Sequence, residues 1–170
     1  LLFSLETRPY PFSYPIRQTS QKERCKMKIQ HNLAFVIEDH KDIAEQYELT
    51  LKRVGFEVEV YYNGEDGLER LKREPAPQLV LLDMHFDAPA GSNPLTGNEL
   101  AWEMWFELDQ THIIIITNYQ EFVKIYEDRE EVDEVYLKSS VTLQFLAETA
   151  KKYMNDNNKR KISDKIKIRR

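Results

Sequence analysis

The sequence predicts a doubly wound α/β domain: five βα units around a parallel sheet in strand order 2-1-3-4-5, with helices on both faces. Three observations carry that expectation. Short apolar runs of strand length alternate with stretches of helical period. Three of the runs are continuously apolar, as strands covered on both faces are, whereas one alternates and one is short and flanked by acids, as edge strands are. The length of 170 residues suits one domain with tails, because domains cluster around roughly 100–150 residues.

The runs are Leu33–Ile37, Phe56–Tyr61, Leu79–Leu82, Ile113–Ile116 and Val135–Leu137. The first, third and fourth are continuous; Phe56-Glu57-Val58-Glu59-Val60 alternates, and the fifth follows Asp133 and Glu134. An amphipathic stretch follows each run. Ile43, Tyr47, Leu51 and Val54 share one helical face, and Leu68 and Leu71 mark a short second helix. Leu100, Met104, Trp105 and Leu108 mark a third, with Trp105 expected in the core and Trp102 a candidate partner surface if exposed. Tyr119, Phe122, Val123 and Tyr126 mark a fourth, and Leu143, Leu146, Ala147 and Ala150 a fifth.

Charge divides the chain. Residues 31–153 carry −14, between tails of +4 (1–30) and +5 (154–170). The acidic body argues against nucleic-acid binding by the folded part and favours metal binding or steering of basic partners. Residues 1–30, with Pro9, Pro11 and Pro15, read as a disordered extension, those before Met27 as an upstream addition or misplaced start, and 154–170 as a basic disordered tail. No apolar run approaches the roughly 18 residues of a membrane span, and the N-terminus lacks the pattern of a signal peptide. A single cysteine, Cys25, excludes an intramolecular disulfide framework and suits a cytoplasmic protein.

In a doubly wound sheet the ligand site lies at the carboxyl ends of the strands. Glu38 and Asp39 follow the first strand there and Asp83 the third. Three carboxylates this close repel unless a cation neutralises them, so a hard divalent ion, Mg²⁺ with several waters, is the natural occupant. Thr117 ends the fourth strand with a hydroxyl, and Lys138 ends the fifth with a mobile cation. Together these form a phosphoryl-transfer set: metal and lysine spread charge, the hydroxyl binds an oxygen, and a carboxylate attacks. Each residue has a plainer reading: a solvated loop for the acid pair, a helix cap for Thr117, a surface ion pair for Lys138. His40 reads as solvated, and His31 and His112 lack metal-ligand spacing.

At Ile37-Glu38-Asp39, Leu81-Leu82-Asp83, Ile115-Ile116-Thr117 and Tyr136-Leu137-Lys138 the chain resembles the receiver domain of two-component response regulators, over residues 31–153. The resemblance implies a flavodoxin-like fold and a cytoplasmic phosphorelay switch. Asp83 would be the phosphoacceptor, served by a sensor histidine kinase or phosphotransfer protein. Glu38, Asp39, Asp83 and the backbone carbonyl of His85 would hold Mg²⁺, and Thr117 and Lys138 would report the phosphate to a downstream protein target. A stand-alone receiver is expected, since only 17 residues follow residue 153.

The sequence departs from that pattern in four places. Gly97 comes 14 residues after Asp83, later than in most receivers, which places an insertion within His85–Thr96 over the site. Ser139 stands where a cis-proline usually follows the lysine, and Asn118 where a small residue usually follows the threonine. The aromatic switch position falls on Val135, so either Tyr136 serves through a shifted loop or the switch is absent. These departures keep a constitutive, receiver-like interaction module open as the alternative. Binding of nucleic acid or anionic membrane by the tail from Lys151, and a hydrolase with His85 as its acid-base group, are weaker readings.

Overall fold

The computed structural model describes residues 27–86, 97–108, 110–127 and 132–155. Residues 1–26 with Cys25, residues 156–170, and all of the expected insertion except His85 and Phe86 lie outside them, while Ile29 and Gln30 belong to the first strand and Met154 to the last helix. Five parallel strands form one sheet in the order β2-β1-β3-β4-β5. They are β1 (Ile29–Ile37), β2 (Glu57–Tyr61), β3 (Ala76–Leu82), β4 (His112–Thr117) and β5 (Glu134–Leu137). The helices are α1 (Lys41–Val54), α2 (Gly64–Leu71), α3 (Gly97–Glu107), α4 (Gln120–Tyr126) and α5 (Leu143–Met154). Among the described residues no helix is long and apolar enough to cross a membrane.

The central strands are continuously apolar because successive side chains enter two different cores. Phe35, Ile37, Val80, Leu82, Ile113 and Ile115 pack on one face with Leu71, Leu100, Met104 and Tyr126 of α2, α3 and α4. Ala34, Val36, Leu79, Leu81, Ile114 and Ile116 pack on the other with Ala44, Tyr47 and Leu51 of α1 and Leu146, Ala150 and Tyr153 of α5. Truncating one of these fully buried leucines or isoleucines to alanine costs about 2–5 kcal/mol.

Several boundaries and faces differ from expectation. β1 begins at Ile29, so the boundary at residue 31 falls inside it: Ile29 pairs with Ala76 and Gln30 with Pro77 ahead of a register shift. Asn32, at φ 66, lies within that irregularity, where polar residues conceal the strand from a hydrophobicity pattern. Leu143 does not face the core; it is 39% exposed, and Tyr153 supplies the third inward contact of α5. Tyr119 is the N-cap of α4 rather than part of its apolar face. Trp102 and Trp105 lie on α3, but their side chains are outside the described residues.

The register brings the site together. Ile37 is opposite both Tyr61 and Leu82, Leu82 is opposite Ile115, and Thr117 is opposite Leu137. Glu38 and Asp83 therefore leave neighbouring strands at the same level, with the Asp83 N–H donating to the Ile37 carbonyl at 2.9 Å. Gly97 opens α3 where the backbone passes so close to β3 that a Cβ would lie 2.4 Å from Met84 Cα and 2.5 Å from the Asp83 carbonyl oxygen. That crowding allows only glycine at this point.

Candidate functional site

Glu38 is almost fully buried, 1% exposed, because β1, flanked by β2 and β3, delivers it to the carboxyl end of the sheet beside Asp83. Asp83 is buried beside it, and its Oδ1 accepts the N–H groups of Met84 at 2.6 Å and His85 at 3.3 Å. Lys138 reaches from the end of β5 over both acids. Its Nζ donates to Asp83 Oδ2 at 2.6 Å and stands 2.9 Å from Glu38 Oε1 and 2.7 Å from Glu38 Oε2.

One buried lysine between two buried carboxylates leaves a net negative charge. Burial, with the neighbouring Asp83 charge, pushes the Glu38 carboxyl above the usual range despite the bond from Lys138. For Lys138, burial acts to lower the pKa, but bonds to Asp83 and Glu38 outweigh it and hold the ammonium charged above its ordinary value. A buried pair of acids sharing one cation is poised to accept a second.

The remaining sequence candidates lie around this triad. Asp39 is nearly buried and contacts the His40 ring, Nδ1 to Oδ1 2.9 Å. The Asp39 bond and charge raise the His40 pKa. Thr117 is fully buried; its Oγ1 accepts the Tyr119 N–H at 3.2 Å and so shapes the turn into α4. His85 is exposed, and its ring rests against Tyr119 at 5.3 Å between centroids. Lys138 starts a 3-10 turn with Ser139 and Ser140. The only cis peptide among the described residues is Glu74–Pro75, so the Lys138–Ser139 bond is trans. Val135 packs into the α2–α4 core, while Tyr136 packs on the opposite face against Phe145, 5.0 Å between centroids and edge-on.

Glu38, Asp39, His40 and Asp83 each offer one ligand atom, all within 4.8 Å of one another. Three carboxylates suit a hard divalent cation such as Mg²⁺ in charge and donor type. Two features of the site went beyond the sequence reading. His40 was expected to be solvated, and its ring is 56% exposed, but it also contacts Asp39. Gly97 was legible as a glycine out of place, but not as the residue that lets α3 start against the Asp83 backbone.

The sequence profile of the response regulator receiver domain matches residues 34–135. No curated protein matches the chain closely. Among solved structures it is similar to the response regulator TrrA from Thermotoga maritima in complex with Mg²⁺-BeF, with 26% identity, a TM-score of 0.60, and coverage of 72% of this chain and 98% of that one. A receiver domain protein from Clostridium thermocellum shares 23% identity at a TM-score of 0.61, covering 72% of this chain and 94% of that one. A CheY-like receiver from Methanospirillum hungatei shares 21% identity at a TM-score of 0.60, covering 74% and 94%.

Proposed function

The chain belongs to the response regulator receiver domain family, and from that premise we propose that it is a cytoplasmic phosphorelay switch in which Asp83 accepts a phosphoryl group from a phosphohistidine of a sensor histidine kinase or phosphotransfer protein. The observation that carries this reading is the convergence of Lys138 on Asp83 and Glu38 at the sheet's carboxyl end. An Asp83 oxygen attacks phosphorus as the bond to the donor imidazole nitrogen breaks, and the imidazole leaves. The Met84 and His85 N–H groups fix the attacking carboxylate through Oδ1. Lys138 neutralises charge on the transferred group, and the Thr117 hydroxyl turns from the Tyr119 N–H toward a phosphoryl oxygen. Glu38, Asp39, Asp83 and the His85 carbonyl would hold Mg²⁺, which when bound would offset negative charge between the acids and the incoming phosphoryl group.

Phosphorylation then redistributes the contacts of Thr117 and Lys138, and that change reaches a downstream protein target through the adjoining α4, β5 and α5. The test is intact mass after incubation with Mg²⁺ and acetyl phosphate, for wild type and Asp83→Asn. One added phosphoryl group on wild type alone is expected. No addition together with no Mg²⁺ binding would make the chain a constitutive receiver-like interaction module instead.

A further inference from the structure

His40 occupies the N-cap of α1, where Ser, Thr, Asp or Asn ordinarily accepts a helix N–H. Its backbone carbonyl takes the usual helical bonds from Ile43 and Ala44, but its side chain makes no capping bond. The imidazole turns the other way. Nδ1 lies 2.9 Å from Asp39 Oδ1 and 3.4 Å from Glu38 Oε1, within the same cluster as Asp83. The ring is 56% exposed while Glu38 is 2%, so a nitrogen donor stands at the open rim of an oxygen site.

Carboxylates alone suit magnesium, which prefers oxygen and keeps several waters. An imidazole nitrogen adds little for Mg²⁺ but much for borderline cations such as Fe²⁺, Co²⁺ and Zn²⁺. We propose that His40 is a fourth donor of the divalent-cation site and shifts its preference from magnesium toward these borderline cations. This rests on the reading above that Glu38, Asp39 and Asp83 hold a divalent ion. It adds a determinant of which ion that is: His40 reaches an entering cation at the rim, before the buried acids do.

The test titrates the full chain with Co²⁺ and, separately, with Mg²⁺ by calorimetry, following the visible absorption of bound Co²⁺ in parallel. His40→Ala is expected to weaken Co²⁺ binding about tenfold or more and to alter its visible spectrum, with Mg²⁺ affinity changed by less than about twofold. His40→Asn, which restores an N-cap side chain, should lose Co²⁺ affinity equally, so that fraying of α1 does not account for the loss. Equal weakening of both cations, or no weakening of Co²⁺ in either variant, overturns the proposal. Asp83→Asn separates the two layers: if it leaves both affinities unchanged, the cation is held elsewhere and the underlying site reading fails as well.

Discussion

The two ends of the sheet both bury polar groups, yet they do so in opposite ways. At the amino end the buried Gln78, Thr111 and His112 each have a partner among the described residues. The Gln78 side-chain amide accepts from the Asn32 N–H at 2.8 Å and donates to the carbonyl of Tyr153 at 2.8 Å, tying β1, β3 and the last turn of α5 together. Thr111 donates to the Pro77 carbonyl at 2.7 Å, and Asp133 accepts from the Ile113 N–H at 2.7 Å while its other oxygen meets His112. At the carboxyl end two buried acids share one lysine. The first arrangement is complete and serves stability, whereas in the second one lysine faces two carboxylates, leaving negative charge that a further cation can offset. Satisfied polar groups hold a fold; frustrated ones mark where it works.

The largest effect that would test this contrast comes from Lys138→Met. Removing the lysine leaves Glu38 and Asp83 facing each other without a cation, which should cost about 3–5 kcal/mol in urea unfolding with a chelator present. Added Mg²⁺ should recover part of that loss, because a cation bound only by the folded state stabilises it by mass action. If chelator and Mg²⁺ give the same deficit, the carboxyl end is as self-sufficient as the amino end. Gly97→Ala comes next. Its Cβ would overlap Met84 and the Asp83 carbonyl, so α3 must shift, at a cost of about 1–3 kcal/mol. Transfer from acetyl phosphate to Asp83 should slow as the strand end is displaced, and a variant as stable and as readily phosphorylated as wild type would refute the close approach.

Much of this was legible in the sequence, for a physical reason that also sets the limit. A strand covered on both faces must be apolar throughout, so the runs ending at Ile37, Leu82 and Ile116 located β1, β3 and β4 and fixed their central places. Residues just past the strand ends then had to share the carboxyl end of the sheet, and with the shorter run ending at Leu137 this is how Lys138 and Glu38, 100 positions apart, were brought together. What the pattern could not carry was polar pairing without a fold rule behind it. Gln78 and Tyr153 are 75 positions apart, and nothing local in either marks the bond. The start of β1 was hidden for the opposite reason: Ile29 and Gln30 read as tail and the first run as starting at Leu33, because the polar Gln30, His31 and Asn32 interrupt the apolar pattern where the strand carries its register shift. Leu143 misled because hydrophobicity reports a tendency to be buried, not which face of a short helix is.

The amino end sharpens the comparison through Gln78→Ala. That change leaves the Tyr153 carbonyl without its partner in a buried setting and also removes the acceptor of the Asn32 N–H, so unfolding should become easier by about 1–3 kcal/mol. The loss should be the same in chelator and in Mg²⁺, since nothing in that clamp awaits a ligand. A Mg²⁺-dependent deficit would mean that the two ends communicate through β1 and β3.

The smallest effect distinguishes position at the carboxyl end from membership of the charge cluster. Asn63 follows β2 at that same end, where its side chain accepts the Asp66 N–H at 2.7 Å and caps α2. Asn63→Ala removes a cap and should cost about 1 kcal/mol. Because the Asn63 side chain holds a helix rather than a charge, cation affinity and phosphorylation of Asp83 should stay at wild-type levels while the urea midpoint falls. If cation affinity fell with it, frustration would belong to the whole rim of the sheet rather than to Glu38, Asp39, Asp83 and Lys138. An unchanged affinity confines it to those four side chains, which meet at the carboxyl end of the sheet.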